Sequence, residues 1–133
     1  MPRRTYVDAS LLIAAFRAKD EVGQRAIEIL DDPNRTLVVS DAVRLEVEPK
    51  ARYEQRQQEV NFYDAVFSQA EYLKWQTDTL DRALDLATGH GIAAMDAIHV
   101  ATALDAGVDE FVTAETRTKP IFRVAQLRIQ SIR

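Results

Sequence analysis

Short β-branched and apolar runs alternate along this chain with longer stretches whose apolar residues recur at helical spacing. Thr5-Tyr6-Val7, residues 36–39, Tyr72-Leu73-Lys74 and Phe111-Val112-Thr113 read as strands, with a last, short one over 127–129. Helices are predicted over 9–18, from an Asp20 cap to Leu30, and from Ser40 or Asp41 through about Val47. Pro49 is expected to kink or end that third helix. Further helices are predicted over 50–71, from Thr77 or Asp78 to Gly89-His90-Gly91, and over 94–106 before Gly107. Leu80, Leu84 and Ala87 are expected to face inward. Strands alternating with helices imply an α/β domain with a largely parallel sheet covered on both faces.

A chain of 133 residues with 47% hydrophobic composition buries a sizeable core without staples, and is read as a single domain over residues 1–133. With four Gly and four Pro it lacks the turns of a many-stranded sandwich or barrel. Seventeen Lys and Arg against 21 Asp and Glu give a net charge of −4, which argues against a broad non-specific nucleic-acid binder. It leaves room for a local basic rim around an acidic site. Cysteine is absent, excluding disulfides, zinc–thiolate sites and thiol nucleophiles. The apolar run near the start contains Asp8 and ends near Arg17, too short and polar to span a bilayer, and no small-residue cleavage site follows it. The expected location is the cytoplasm, with no membrane contact.

Parallel α/β sheets bind ligands beyond the carboxyl ends of their strands. Four carboxylates fall where that rim is expected. Asp8 directly follows the first strand, where it serves either as a helix cap or as a site residue. Glu46 sits on an apolar helical arc with Ala42 and Leu45, and either pairs with Lys50 or has a function. Asp96 lies in the first turn of its helix, a favourable place for any carboxylate. Glu115 stands two residues beyond a strand; alone it is an ordinary loop acid, and Arg117, Lys119 and Arg123 are candidate partners for it. Acids gathered at one rim repel, and a hard divalent cation such as Mg²⁺ or Mn²⁺ relieves that repulsion through oxygen ligands. Such a set, with no accompanying His or Cys ligand, suits metal-assisted phosphodiester chemistry.

These residues also form a familiar series. Tyr6-Val7-Asp8-Ala9-Ser10-Leu11-Leu12-Ile13 resembles the opening motif of PIN-domain ribonucleases, which include the VapC-like toxins of bacterial toxin–antitoxin pairs. Ser40-Asp41-Ala42-Val43-Arg44-Leu45-Glu46-Val47 resembles their second motif, with Glu46 at the acidic position. Met95-Asp96-Ala97-Ile98-His99-Val100-Ala101-Thr102-Ala103 is similar to the third, the most specific of the set, and Phe111-Val112-Thr113-Ala114-Glu115 to the fourth. The motifs keep the family's order and spacing over nearly the whole chain.

The resemblance implies a three-layer α/β/α sandwich with a central, largely parallel sheet. It implies a Mg²⁺- or Mn²⁺-dependent endoribonuclease, plausible as the toxin of a type II pair with a cognate antitoxin. Asp8, Glu46 and Asp96 would hold the metal, with Glu115 as fourth acid and the Ser10 and Thr113 hydroxyls beside the site. Thr113 reads equally as a strand residue whose hydroxyl bonds locally. Many relatives carry Asp where this chain has Glu115, which puts a second metal in doubt and keeps a rival reading open: a catalytically weak PIN-like RNA-binding or assembly module. Arg44, Lys50, Arg117 and Lys119 are candidate RNA contacts, with solvated helix charges as the alternative for the first two.

The remaining conspicuous side chains have ordinary readings. His99, three residues after Asp96 on the same helical face, is expected to be a packed histidine with one hydrogen bond, a ligand or proton donor being the alternative, and His90 a helix-end residue. Trp75, Tyr72 and Phe67 are expected in the core or a dimer interface rather than stacked on bases. Relatives of this kind are commonly homodimers, and the stripe of Val60, Tyr63, Val66 and Phe67 serves either as that interface or as core. No Gly-rich phosphate loop occurs.

Overall fold

The computed structural model describes residues 2–133. Five strands form one sheet: β1 (Arg3–Val7), β2 (Arg35–Ser40), β3 (Glu71–Leu73), β4 (Glu110–Thr113) and β5 (Ile129–Ser131). Their spatial order is β3-β2-β1-β4-β5, and each neighbouring pair is parallel. Six helices connect and cover them: α1 (Ala9–Arg17), α2 (Glu21–Asp31), α3 (Asp41–Tyr53), α4 (Gln57–Gln69), α5 (Thr79–His90) and α6 (Ala94–Ala106). This is the three-layer α/β/α arrangement expected, with β1 central because its Thr5, Tyr6 and Val7 are wholly buried between the layers. Among the described residues no helix is long and apolar enough to cross a membrane.

Three expectations about the helices need correction. Pro49 neither ends nor visibly interrupts α3, which continues to Tyr53. The carbonyl it leaves without a partner belongs to Leu45, on the exposed side of the helix where water serves instead. The helix stops a turn later, at a Schellman cap: Arg56 N–H reaches the Ala51 carbonyl at 2.9 Å and Gln55 N–H the Arg52 carbonyl at 3.1 Å. Gln55, at φ 56°, fills the left-handed position usually given to glycine. Hence 50–71 is not one helix: its first residues finish α3, and α4 begins after the cap.

Leu80 and Leu84 point outward rather than inward. Thr79, Ala83 and Leu86 are the buried side of α5. Ala83 lies beside Ala94 and Ala97 of α6, so small residues set the separation of these two helices and displace the leucines to the flank. Conversely Val60, Tyr63 and Phe67 are core, so the stripe on α4 is not a free interface. Tyr72 packs edge-on against Phe67, whereas Trp75 is largely exposed.

At the amino ends of the strands the chain buries a charge cluster. Glu110, only 1% exposed, accepts from the Thr5 hydroxyl at 2.6 Å and from Arg35 Nε at 2.9 Å, and Arg35 also pairs with Asp32 at 2.6 Å. Burial alone would raise the Glu110 carboxyl, but Thr5 and the two guanidiniums of Arg35 and Arg3 hold it below its ordinary range.

Candidate active site

The carboxyl ends of β1, β2 and β4 meet at one rim, and each strand leads into an ordered turn. Asp8 ends β1 in extended geometry, and its Oδ1 accepts the Leu11 N–H at 3.1 Å, capping α1. It is therefore a cap as well as a rim acid. With 6% exposure it is also a buried carboxylate. The Ser10 hydroxyl donates to it at 2.7 Å. Ser10 Oγ lies 3.1 Å from Thr113 Oγ1 and accepts the Ala114 N–H at 3.0 Å, joining the first turn of α1 to the end of β4. Thr113 Oγ1 in turn accepts the Glu115 N–H at 3.1 Å. The two hydroxyls thus form a short bridge between Asp8 and the backbone of Glu115, and Thr113 bonds locally at the same time.

Burial raises the Asp8 carboxyl above its ordinary value, against the stabilising influence of Thr113, Ser10, His99 and the Leu11 amide. Asp96, half-buried in the first turn of α6, is also raised, first by burial and then by the charges of Glu115 and Glu46, while His99 and Lys119 pull the other way.

Ser40 ends β2 and caps α3 through Val43 N–H at 3.3 Å. Glu46, on the exposed side of α3, meets His99 Nε2. Of the two readings left open for Glu46, the pairing with Lys50 is not found among the described residues; its partner is a histidine. His99 makes two hydrogen bonds, not one: its Nδ1 lies 2.7 Å from the Tyr6 hydroxyl. The sequence signal was available in the pairing of Tyr6 in the first motif with His99 in the third, but only the crossing of β1 and α6 reveals it.

Among the described residues no ion pair with Lys or Arg reaches Asp8, Asp96 or Glu115. Arg123 donates instead to the His90 carbonyl at 3.0 Å, which fixes the helix end where His90 lies. Arg44 is tied to Glu48 at 2.6 Å, and Lys50 is exposed. Arg117 and Lys119 are exposed on the loop after Glu115, with Arg117 lining a polar cleft of about 620 Å³ shared with Arg25 and Arg133.

As donors, Asp8, Glu46, Asp96 and Glu115 offer oxygen alone, which fits a hard divalent cation. Among the described residues no three Asp, Glu or His side chains stand close enough together, as arranged, to hold a metal ion. Gathering three donors therefore requires side-chain movement; Asp8 and Glu46 are tied by side-chain hydrogen bonds, whereas the carboxylates of Asp96 and Glu115 have none among the described residues.

No curated protein matches the chain at a significant level. Among solved structures, it superposes with a TM-score of 0.74 on a chain of VapBC2 from Rickettsia felis bound to a promoter DNA fragment, at 15% identity over 96% of this chain and 98% of that one. A toxin–antitoxin complex from Klebsiella pneumoniae gives 0.74 at 21% identity over 97% and 98%. Mycobacterium tuberculosis VapC20, described as a sarcin-ricin loop cleaving toxin, gives 0.61 at 16% identity over 80% and 86%. At such identities the likeness is one of fold. A model of the PIN domain matches residues 5–125, nearly the full length, and the chain belongs to the PIN domain family.

Proposed function

We propose that residues 1–133 form one PIN-like unit acting as a divalent-metal-dependent endoribonuclease on RNA phosphodiester bonds, in the cytoplasm, as the toxin of a type II toxin–antitoxin pair. The observation that carries this reading is two carboxylates, Asp8 and Asp96, both raised by burial, with no lysine or arginine paired to either among the described residues. The fold shared with a sarcin-ricin loop cleaving toxin and with toxin–antitoxin complexes supports the substrate class and the antitoxin partner. Asp8, Glu46 and Asp96 would hold Mg²⁺ or Mn²⁺, with Glu115 as the longer fourth acid. When bound, such an ion supplies an activated water and charge neutralisation at the phosphodiester. The residues' own part is positional. Ser10 and Thr113 orient Asp8, and Arg44, Lys50, Arg117 and Lys119 face the RNA backbone.

Cleavage of a labelled RNA with added Mn²⁺ or Mg²⁺ tests the proposal, with Asp96→Asn as the contamination control. Metal-dependent cleavage lost in that folded variant is the expected result; equal cleavage by both proteins refutes it. Binding without cleavage would favour the catalytically weak RNA-binding module, the reading to which Glu115 points.

The partner expected beside RNA and antitoxin is a second copy of this chain, and the burial of Val60, Tyr63 and Phe67 favours an interface other than the α4 stripe. Leu45, Trp75, Leu80 and Leu84 are among the most exposed large apolar side chains described. They line two adjoining grooves of about 390 and 360 Å³ that share Ile98 of α6. Asp41 accepts the Trp75 backbone N–H at 2.7 Å, which fixes the main chain that presents this ring. A two-fold arrangement laying α3 of one copy on α5 of the other apposes leucines with leucines. Light scattering is expected to give a dimer for the wild type and a folded monomer for Leu84→Glu. A monomeric wild type, or a dimer indifferent to both Leu84→Glu and Leu45→Glu, overturns this face.

A further inference from the structure

A histidine with both ring nitrogens engaged stands behind Glu46. His99 is 2% exposed, and its neighbours form a chain that crosses three elements. Val43 N–H donates to Ser40 Oγ at 3.3 Å, Ser40 Oγ lies 2.7 Å from the Tyr6 hydroxyl, and that hydroxyl lies 2.7 Å from His99 Nδ1. His99 Nε2 then meets Glu46 Oε1. The chain starts and ends on α3, passing through Ser40 at the end of β2, through β1 and through α6.

Donor counting gives it a direction. An ionised carboxylate only accepts, so the proton shared with Glu46 belongs to Nε2. On a neutral ring Nδ1 is then the acceptor, so Tyr6 donates to it and receives the Ser40 proton. Every polar atom in the buried part of the chain has a partner in this arrangement, which is the condition for such a network to stiffen its surroundings. Tyr6 is further held by its stacked contact with Phe111, ring centroids 5.1 Å apart. A side chain on the exposed side of a helix is thus anchored to the centre of the sheet.

We infer that His99 is a positioning residue for Glu46: its Nε2–H holds one carboxylate oxygen, Tyr6 and Ser40 fix the ring behind it, and Glu46 Oε2 is left for an incoming ligand. The positioning contact stands on the geometry of the protein alone; its consequence for a cation rests on the metal-site reading above. The two are separable by experiment.

Nitrogen-15 NMR of the metal-free protein is expected to show His99 protonated at Nε2 and not at Nδ1. Glu46→Gln should move the Nε2–H resonance, and Tyr6→Phe, which keeps the ring in the core, should mix the tautomers. A proton on Nδ1 alone, or a resonance indifferent to Glu46→Gln, overturns the inference. Calorimetric titration with Mn²⁺ provides the second readout: His99→Ala should weaken binding by about 10–100-fold, the range for lost support behind a ligand. His99→Gln, whose amide can donate to the same oxygen, should recover part of it. In a Glu46→Gln background, His99→Ala should have no further effect; a full-sized effect there would mean that His99 acts on the fold and not through Glu46. Absence of Mn²⁺ binding by a wild type that shows the expected NMR pattern would sink the metal reading and leave the contact established.

Discussion

A buried carboxylate is a burden on the fold, and Asp8→Asn isolates that burden. Asparagine caps a helix as well as aspartate does, and its side-chain oxygen can still accept from Leu11 N–H and the Ser10 hydroxyl. The new amide group faces Thr113, whose hydroxyl can accept from it. What the substitution removes is a negative charge at 6% exposure with no cationic partner among the described residues. Desolvating an ion costs several kcal/mol in real proteins, and the charged hydrogen bonds to Asp8 return most but not all of it, which is why its carboxyl is raised. The lost attraction to the α1 dipole offsets about 0.3–1 kcal/mol. The balance favours the variant by about 1–2 kcal/mol, a size common for relieved functional sites, or a melting temperature higher by about 3–8 °C for a domain of this size. Circular dichroism melts in EDTA at neutral pH measure it. Mn²⁺ should raise the wild-type midpoint by mass action and leave that of Asp8→Asn nearly still, closing the gap from the other side. An Asn variant that melts below the wild type in EDTA would refute the reasoning, because it would mean that the charge is already compensated inside the protein.

Three further outcomes follow from the same structure. If Arg44, Lys50, Arg117 and Lys119 are the phosphate contacts, the affinity for single-stranded RNA should fall with salt at a log–log slope of about −3; filter binding giving a much steeper slope would require a wider basic surface. Glu110→Gln should destabilise by about 3 kcal/mol, the lower part of the range for a broken buried pair because Arg35 keeps Asp32. The Glu110 carboxyl is held low in the fold, so its contribution is present above its unfolded pKa and lost as pH falls through the folded one; urea titrations should show the wild-type advantage at pH 7 and its loss below about pH 4. Gln55→Gly should stabilise by about 0.5–1 kcal/mol, since glycine accepts the left-handed cap geometry without strain; an unchanged or lowered urea midpoint would contradict that.

What could be read from the chain, and what could not, divides along physical lines. Local rules sufficed where each strand leads straight into a helix: Asp8, Ser40 and Asp20 cap the helices they precede. The parallel sheet followed from alternation alone. The break between α3 and α4 was hidden because Gln55 holds a conformation whose usual marker is glycine, and because Pro49 is harmless where the orphaned carbonyl faces water. Orientation of α5 was misjudged because a leucine count outweighs alanines, although helices in close contact select alanine for their shared side. His99 was underestimated for a different reason. Its second hydrogen bond comes from a residue 53 positions away, and no periodicity within a single element encodes it.

The four rim acids are not equivalent, and their differences argue for how the site is built. Asp8 is held by burial, the Ser10 hydroxyl and the Leu11 N–H, and Glu46 by a histidine that is itself held from β1. Asp96 and Glu115 are oriented by their backbones more than by side-chain bonds: Asp96 by the first turn of α6, Glu115 by its N–H on Thr113 and its carbonyl accepting from the Ser131 hydroxyl at 2.6 Å. If the four bind an ion as proposed, a rigid pair and an adjustable pair suit closure on it without drawing four charges together beforehand. The Glu at 115 fits this division. Its extra methylene adds reach where the backbone is fixed and the side chain is not, so the length that departs from the family's usual Asp falls on a member of the adjustable pair.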